Sequence, residues 1–129
     1  MAIDVEWYGH SDRIILMHFH EDFSWDEFYE AKQQADLMMD SVDHNCALVL
    51  WFPTKVPPLT NALSNGRAML SRRHPRSERF IIVSQSSFVR SLGSMLGQIV
   101  GPRATLVEVA ATPEEADIRL AKAGYLEPA

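Results

Sequence analysis

A chain of 129 residues, 47% of them hydrophobic, fits one domain with a single core that needs neither disulfides nor a structural metal. Its lone cysteine, Cys46, excludes an intramolecular disulfide and a multi-thiolate zinc site, and fits a reducing cytoplasm. Met1-Ala2-Ile3-Asp4 lacks the basic start of a secretory signal, and no apolar run approaches the roughly 18 residues of a membrane span, so neither export nor membrane insertion is expected.

In chain order, residues 3–8 alternate Ile3, Val5 and Trp7 with Asp4, Glu6 and Tyr8, the pattern of a half-exposed edge strand. Gly9-His10-Ser11-Asp12 reads as its turn. Residues 13–20 are apolar on both alternating faces in their first half, which predicts an interior strand covered on both sides. Ser24-Trp25-Asp26-Glu27 is a capping box, and Phe28, Ala31, Ala35, Met38 and Val42 follow at helical spacing. Residues 45–52 form a short continuous apolar run of the buried parallel type, ended by Pro53. Ala62, Leu63, Ala68, Met69 and Leu70 predict a second helix from about Thr60 to Arg73, with Gly66 as its weak point and His74-Pro75 as its stop.

Residues 79–84 form the next strand. Ser86 or Ser87 caps a helix whose expected core face is Phe88, Leu92, Met95, Leu96 and Ile99, and Gly101-Pro102 ends it. Residues 104–109 are the fifth strand. Thr112-Pro113-Glu114-Glu115 supplies a cap, a proline at the first helical position and a capping-box carboxylate for a last helix through Ala116, Leu120 and Ala123 to Gly124. The order is β-β-α-β-α-β-α-β-α, an α/β domain of one five-stranded, mostly parallel sheet. Right-handed crossovers are expected to place helices on both of its faces.

That order, with Ser24-Trp25-Asp26-Glu27-Phe28 opening the first helix, the buried run Ala47 to Phe52 and Thr112-Pro113-Glu114-Glu115-Ala116 opening the last, resembles the STAS superfamily. This is the fold of anti-sigma-factor antagonists and sulphate-transporter tails, and the resemblance spans nearly the whole chain. It implies a mixed sheet with the N-terminal strand antiparallel. It also implies a functional surface around the loop after the third strand and the helix that follows. The anti-sigma-antagonist group carries there an acidic residue at the strand end and a serine motif with a phosphorylatable serine. Here Trp51-Phe52-Pro53 and Pro58-Leu59-Thr60-Asn61-Ala62 stand in those places, and Thr60 is the nearest hydroxyl.

Candidate chemistry is sparse. His18 and His20, two apart on a strand, point to one face and precede Glu21-Asp22, but no third and fourth metal ligand can be assigned beside them. A strand leaving the core accounts for them as well. Arg67, Arg72, Arg73, His74, Arg76 and Arg79 form a basic stretch that suits a helix C-terminus, with anion recognition as the other reading. Without interleaved aromatics, and with a net charge of −5, it does not predict nucleic-acid binding. The charge is unevenly placed: residues 1–64 carry 3 Lys/Arg and 11 Asp/Glu, residues 65–129 carry 9 and 6. Solvated helix faces account for that split, and a partner guided by it is the other reading.

Ser84, Ser86 and Ser87, with Arg90 one turn on, stand where a strand passes into a helix and could hold an anion on backbone N–H groups, although serines cap helices without any ligand. Cys46 lies in a buried strand, and no nucleophile elbow, Walker loop or dinucleotide fingerprint occurs. The sequence therefore leads to the expectation of a non-enzymatic regulatory interaction module of bacterial type, without cofactor. Its surface comprises Thr54, Lys55, Thr60, Asn61, Ser64 and Arg67, with Thr60 or Ser64 as candidate modification sites. The alternative is a lipid-like or anionic small ligand held near Trp51, Phe52 and Ser84 to Ser87. A homodimer through the edge strand is the further option.

Overall fold

The computed structural model describes residues 2–9, 11–20, 22–53, 61–100 and 106–126. β1 (Ile3–Trp7) and β2 (Ile14–Phe19) form an antiparallel hairpin in register Ile3↔Phe19 to Trp7↔Ile15. The Tyr8 N–H closes it on the Ile14 carbonyl at 2.9 Å. There follow α1 (Trp25–Asp40), β3 (Cys46–Phe52), α2 (Ala62–Ser71), β4 (Ser77–Ser84), α3 (Ser87–Val100), β5 (Leu106–Ala110) and α4 (Pro113–Lys122). β2 to β5 are parallel, so the sheet is mixed, five-stranded and α/β as the sequence order predicts.

The strands lie in the order β1-β2-β3-β4-β5, the order of the chain. Each right-handed crossover therefore steps the same way, which puts α1, α2 and α3 on one face. Only α4, which follows the last strand and crosses nothing, takes the other. Helices do lie on both faces, but three against one.

Strand alternation builds two cores from this arrangement. Toward the three helices point Ile15, Met17, Phe19, Leu48, Leu50, Phe52 and Phe80, against Phe28, Ala31, Ala35 and Met39 of α1, Met69 and Leu70 of α2, and Val89 and Leu96 of α3. Toward α4 point Ile14, Leu16, Ala47, Val49, Ile81, Val83 and Ala110, against Ala116, Leu120 and Tyr125.

The helix caps form as the sequence dictates. Ser24 Oγ accepts from the Glu27 N–H at 3.2 Å and the Glu27 carboxylate from the Ser24 N–H at 3.0 Å. At α4, Thr112 Oγ1 accepts from the Glu115 N–H at 3.2 Å, while the Glu115 carboxylate reaches one residue further back than a capping box requires, to the Ala111 N–H at 3.0 Å.

α3 departs from expectation. Val89, Gly93 and Leu96 face inward, Leu92 is half-buried, and Phe88 and Met95 are each 48% exposed. The side chain of Ile99 lies outside the described residues. The physical cause is Gly93: a Cβ there would stand 2.8 Å from Val109 Cγ1 and 2.9 Å from Ile82 Cδ1, so the helix lies on the sheet by its glycine side and its bulkier residues turn outward. Gly66, expected as a weak point of α2, is likewise a contact, its missing Cβ 2.8 Å from Leu96 Cδ1.

Candidate functional site

Parallel α/β sheets present their ligands and partners beyond the carboxyl ends of the strands, and three places at that end bear on function. The first is α2. Asn61, at the start of the helix, has φ 63° and no side-chain capping bond; its carbonyl accepts from the Asn65 N–H at 2.9 Å and from the Ser64 hydroxyl at 3.2 Å. Asn61, Ser64, Arg67 and Ser71 are exposed, and Arg67 has no ion-pair partner among the described residues. Leu63, Ser64, Arg67, Ala68 and Ser71 line a shallow concavity of about 380 Å³. Thr54, Lys55 and Thr60 lie outside the described residues, as do Val56 and Leu59.

The second place is the turn from β4 into α3. Ser84 is buried, and its Oγ accepts from the Ser86 N–H at 3.1 Å; Ser86 Oγ in turn accepts from the Val89 N–H at 3.4 Å. Both hydroxyls are engaged by the chain itself, as N-terminal capping predicts. Ser87 is exposed and Arg90 half-buried. Between this turn, α1, α2 and the sheet, Trp25, Phe52, Gly66, Val89 and Leu92 are among the residues bounding a cavity of about 50 Å³. A cavity that admits benzene is about 150 Å³, so this one holds no acyl chain among the described residues.

Trp51 and Phe52, named together beside the alternative small ligand, are separated. They lie on β3, in the middle of the sheet, and alternate to opposite faces. Phe52 is buried and stacks on Phe19 with ring centroids 4.2 Å apart. Trp51 is half-buried on the α4 side, where His18 stacks flat on it at 4.5 Å and 14°.

That side holds the third place, a wedge of about 420 Å³ between α4 and the β1–β3 half of the sheet. Leu16, Val49, Val83 and Trp51 form its floor, Tyr8 one end, and Pro113, Glu114, Ala116 and Asp117 of α4 its wall. Tyr8 donates its hydroxyl proton to Asp117 Oδ1 at 2.7 Å. Burial, then this bond and the charges of Asp117 and Glu114, push the Tyr8 pKa up to about 12. The alternation of β1, β2 and β3 puts Tyr8, Leu16, Val49 and Trp51 on one face, and that much was readable. That α4 would lean over β4 and β5 and leave Tyr8 and Trp51 half-buried was not.

His18 and His20 share a face as their spacing requires, ring centroids 5.4 Å apart. His20 Nε2 lies 3.0 Å from Asp4 Oδ2, ion-pair distance without hydrogen-bond alignment. Among the described residues no three of His, Cys, Asp and Glu are arranged to hold a metal ion; Glu21 is outside them. Burial first, and then the charge of Asp12, push the Cys46 thiol pKa up, which leaves it a small apolar filler of β3 rather than a thiolate. No helix among the described residues is long and apolar enough to cross a membrane. Compared with protein-family models, with curated proteins and with solved structures, the chain matches none.

Proposed function

We propose that this protein is a non-enzymatic regulatory module of STAS-like type that engages a protein partner through α2 and the segment 54–60 that precedes it. One observation carries the reading. Asn61, Ser64, Arg67 and Ser71 recur at helical spacing along α2, all exposed, around a shallow floor of Leu63 and Ala68. A polar rim about a small apolar centre is the anatomy of a transient protein interface. The guanidinium of Arg67, without an ion-pair partner among the described residues, supplies a bidentate anchor for a carboxylate or phosphate on the partner. The resemblance in element order to the STAS superfamily, whose functional surface lies around the corresponding loop and helix, supports this location. Ser64, at the first exposed turn, or Thr60 is the hydroxyl whose modification would switch this surface.

The test compares retention from cell lysate by the intact protein, by Arg67→Glu with Ser64→Asp, and by Ile118→Asp on the far side of the molecule. A partner lost with the α2 double variant and kept by Ile118→Asp supports the proposal. A partner kept by the double variant, or lost equally by both, ends it.

A further inference from the structure

The wedge beneath α4 lies on the face opposite α2, and its chemistry is of another kind. A volume of about 420 Å³ falls in the range of small-molecule sites, about 300–1,000 Å³, and its floor is aliphatic and aromatic. Its charge is one-sided. Glu114 and Asp117 stand on its α4 wall, and none of its lining residues is basic. On the same face of the sheet β1 carries Asp4 and Glu6, both exposed. The third carboxylate at the start of α4, Glu115, is already engaged with the Ala111 N–H and Arg119, so its charge is not presented to the wedge. The helix N-terminus opposes these carboxylates with only about half a positive charge. Two carboxylates, neither of them ion-paired among the described residues, therefore outweigh it.

We propose that this wedge binds a small hydrophobic ammonium ion, its apolar body on Leu16, Val49 and Val83, its cationic end between Trp51 and the carboxylates Glu114 and Asp117. Each part has a physical reason. The three aliphatic side chains sit on neighbouring interior strands and offer a rigid floor. The indole of Trp51 attracts a cation through its π face, and His18, stacked flat against it, fixes its orientation. Tyr8 holds Asp117 by a hydrogen bond that remains as long as the phenol keeps its proton, so the carboxylate is already oriented before the ligand arrives. An anion of the same shape meets two carboxylates and, among the lining residues, no basic side chain, with only the partial charge of the helix N-terminus in its favour. A neutral one keeps the floor and loses the charge.

Phenethylamine, protonated at neutral pH, is the probe, with phenethyl alcohol and hydrocinnamate as its neutral and anionic counterparts, followed by NMR of the intact protein. The amine is expected to move the Trp51 indole signal and the methyls of Leu16, Val49 and Val83, to bind about tenfold tighter than the alcohol, and to outbind hydrocinnamate by more. Glu114→Gln with Asp117→Asn should bring the amine down to the level of the alcohol. These changes conserve shape and leave Asp117→Asn able to accept from Tyr8, so folding is preserved and checked by the same spectra. Gln34→Ala, exposed on α1, serves as a control with unchanged affinity. Equal binding of amine and alcohol, tighter binding of hydrocinnamate, perturbations elsewhere, or no saturation by the amine would each overturn the assignment.

Discussion

Tyr8 and Tyr125 both sit in the core between the sheet and α4, and each donates a hydrogen bond from its phenol to a carboxylate on another element, Tyr8 to Asp117 and Tyr125 to Glu78. Burial is the main cause that lifts both pKa values to about 12 from 10.0, with the carboxylate bond second. The consequence for stability has a definite sign. The unfolded chain releases these protons around pH 10, while the folded chain holds them to about 12, so their contribution is complete below pH 10 and is lost as pH rises from 10 to 12. Urea midpoints measured across that interval should fall steadily. In the double variant Tyr8→Phe with Tyr125→Phe, the slope over the same interval should be flatter, whatever the variant's stability at neutral pH. An unchanged slope would mean that the two phenols ionise alike in both states.

α3 shows at the scale of one element what patterning can and cannot decide. Its start was legible, because a serine hydroxyl taking a nearby N–H is a local event. Its facing was not, because a reading that sends the bulkiest apolar residues inward gives no weight to the closeness that Gly93 permits. The two packed glycines differ in what surrounds them. At Gly66 the obstructing atoms all belong to Leu96, a single flexible side chain. At Gly93 a new Cβ would meet two β-branched residues on neighbouring strands, one of them through the short, stiff Val109. Overpacking costs about 1–3 kcal/mol and alanine returns about 1 kcal/mol of helix propensity. Gly93→Ala should therefore lose up to about 2 kcal/mol by urea denaturation, and Gly66→Ala distinctly less. The reverse order would show that α3 can slide on the sheet more readily than Leu96 can rotate. The strands were read well for a related reason: alternation fixes a residue's face without reference to the neighbour, as the opposite fates of Trp51 and Phe52 illustrate once β3 is known to be interior. The candidate site was legible only to the same depth, since Asn61, Ser64 and Arg67 fall on the exposed side of α2 by spacing alone, whereas Asp117 and Tyr8, 109 residues apart, meet only through the fold.

For the molecule as a whole, the sequential strand order leaves the two cores unequally protected. Three helices that pack on one another and on the sheet close one face, whereas the other, among the described residues, depends on the ten of α4 and the Tyr125 that follows. α4 is fastened there by Leu120, fully buried, and by a chain of charges. Arg119 bonds Glu108 of β5 at 3.0 Å and Glu115 at 3.3 Å, and Glu108 also holds Arg79 of β4. Such half-exposed ion pairs orient more than they stabilise, so the apolar contact carries the attachment. Leu120→Ala should cost about 2–5 kcal/mol. Because α4 crosses between no strands, its release leaves the sheet and the other three helices hydrogen-bonded, which makes it a candidate for opening as a unit below the global unfolding free energy. Hydrogen exchange should then show the amides of α4 losing protection in Leu120→Ala while those of β3 and α1 keep a larger share of theirs. Ile118→Ala, at a position 57% exposed, should change stability by no more than about 0.5 kcal/mol. If Leu120→Ala lowered every amide to one common value, α4 would be part of a single cooperative unit with the three-helix face.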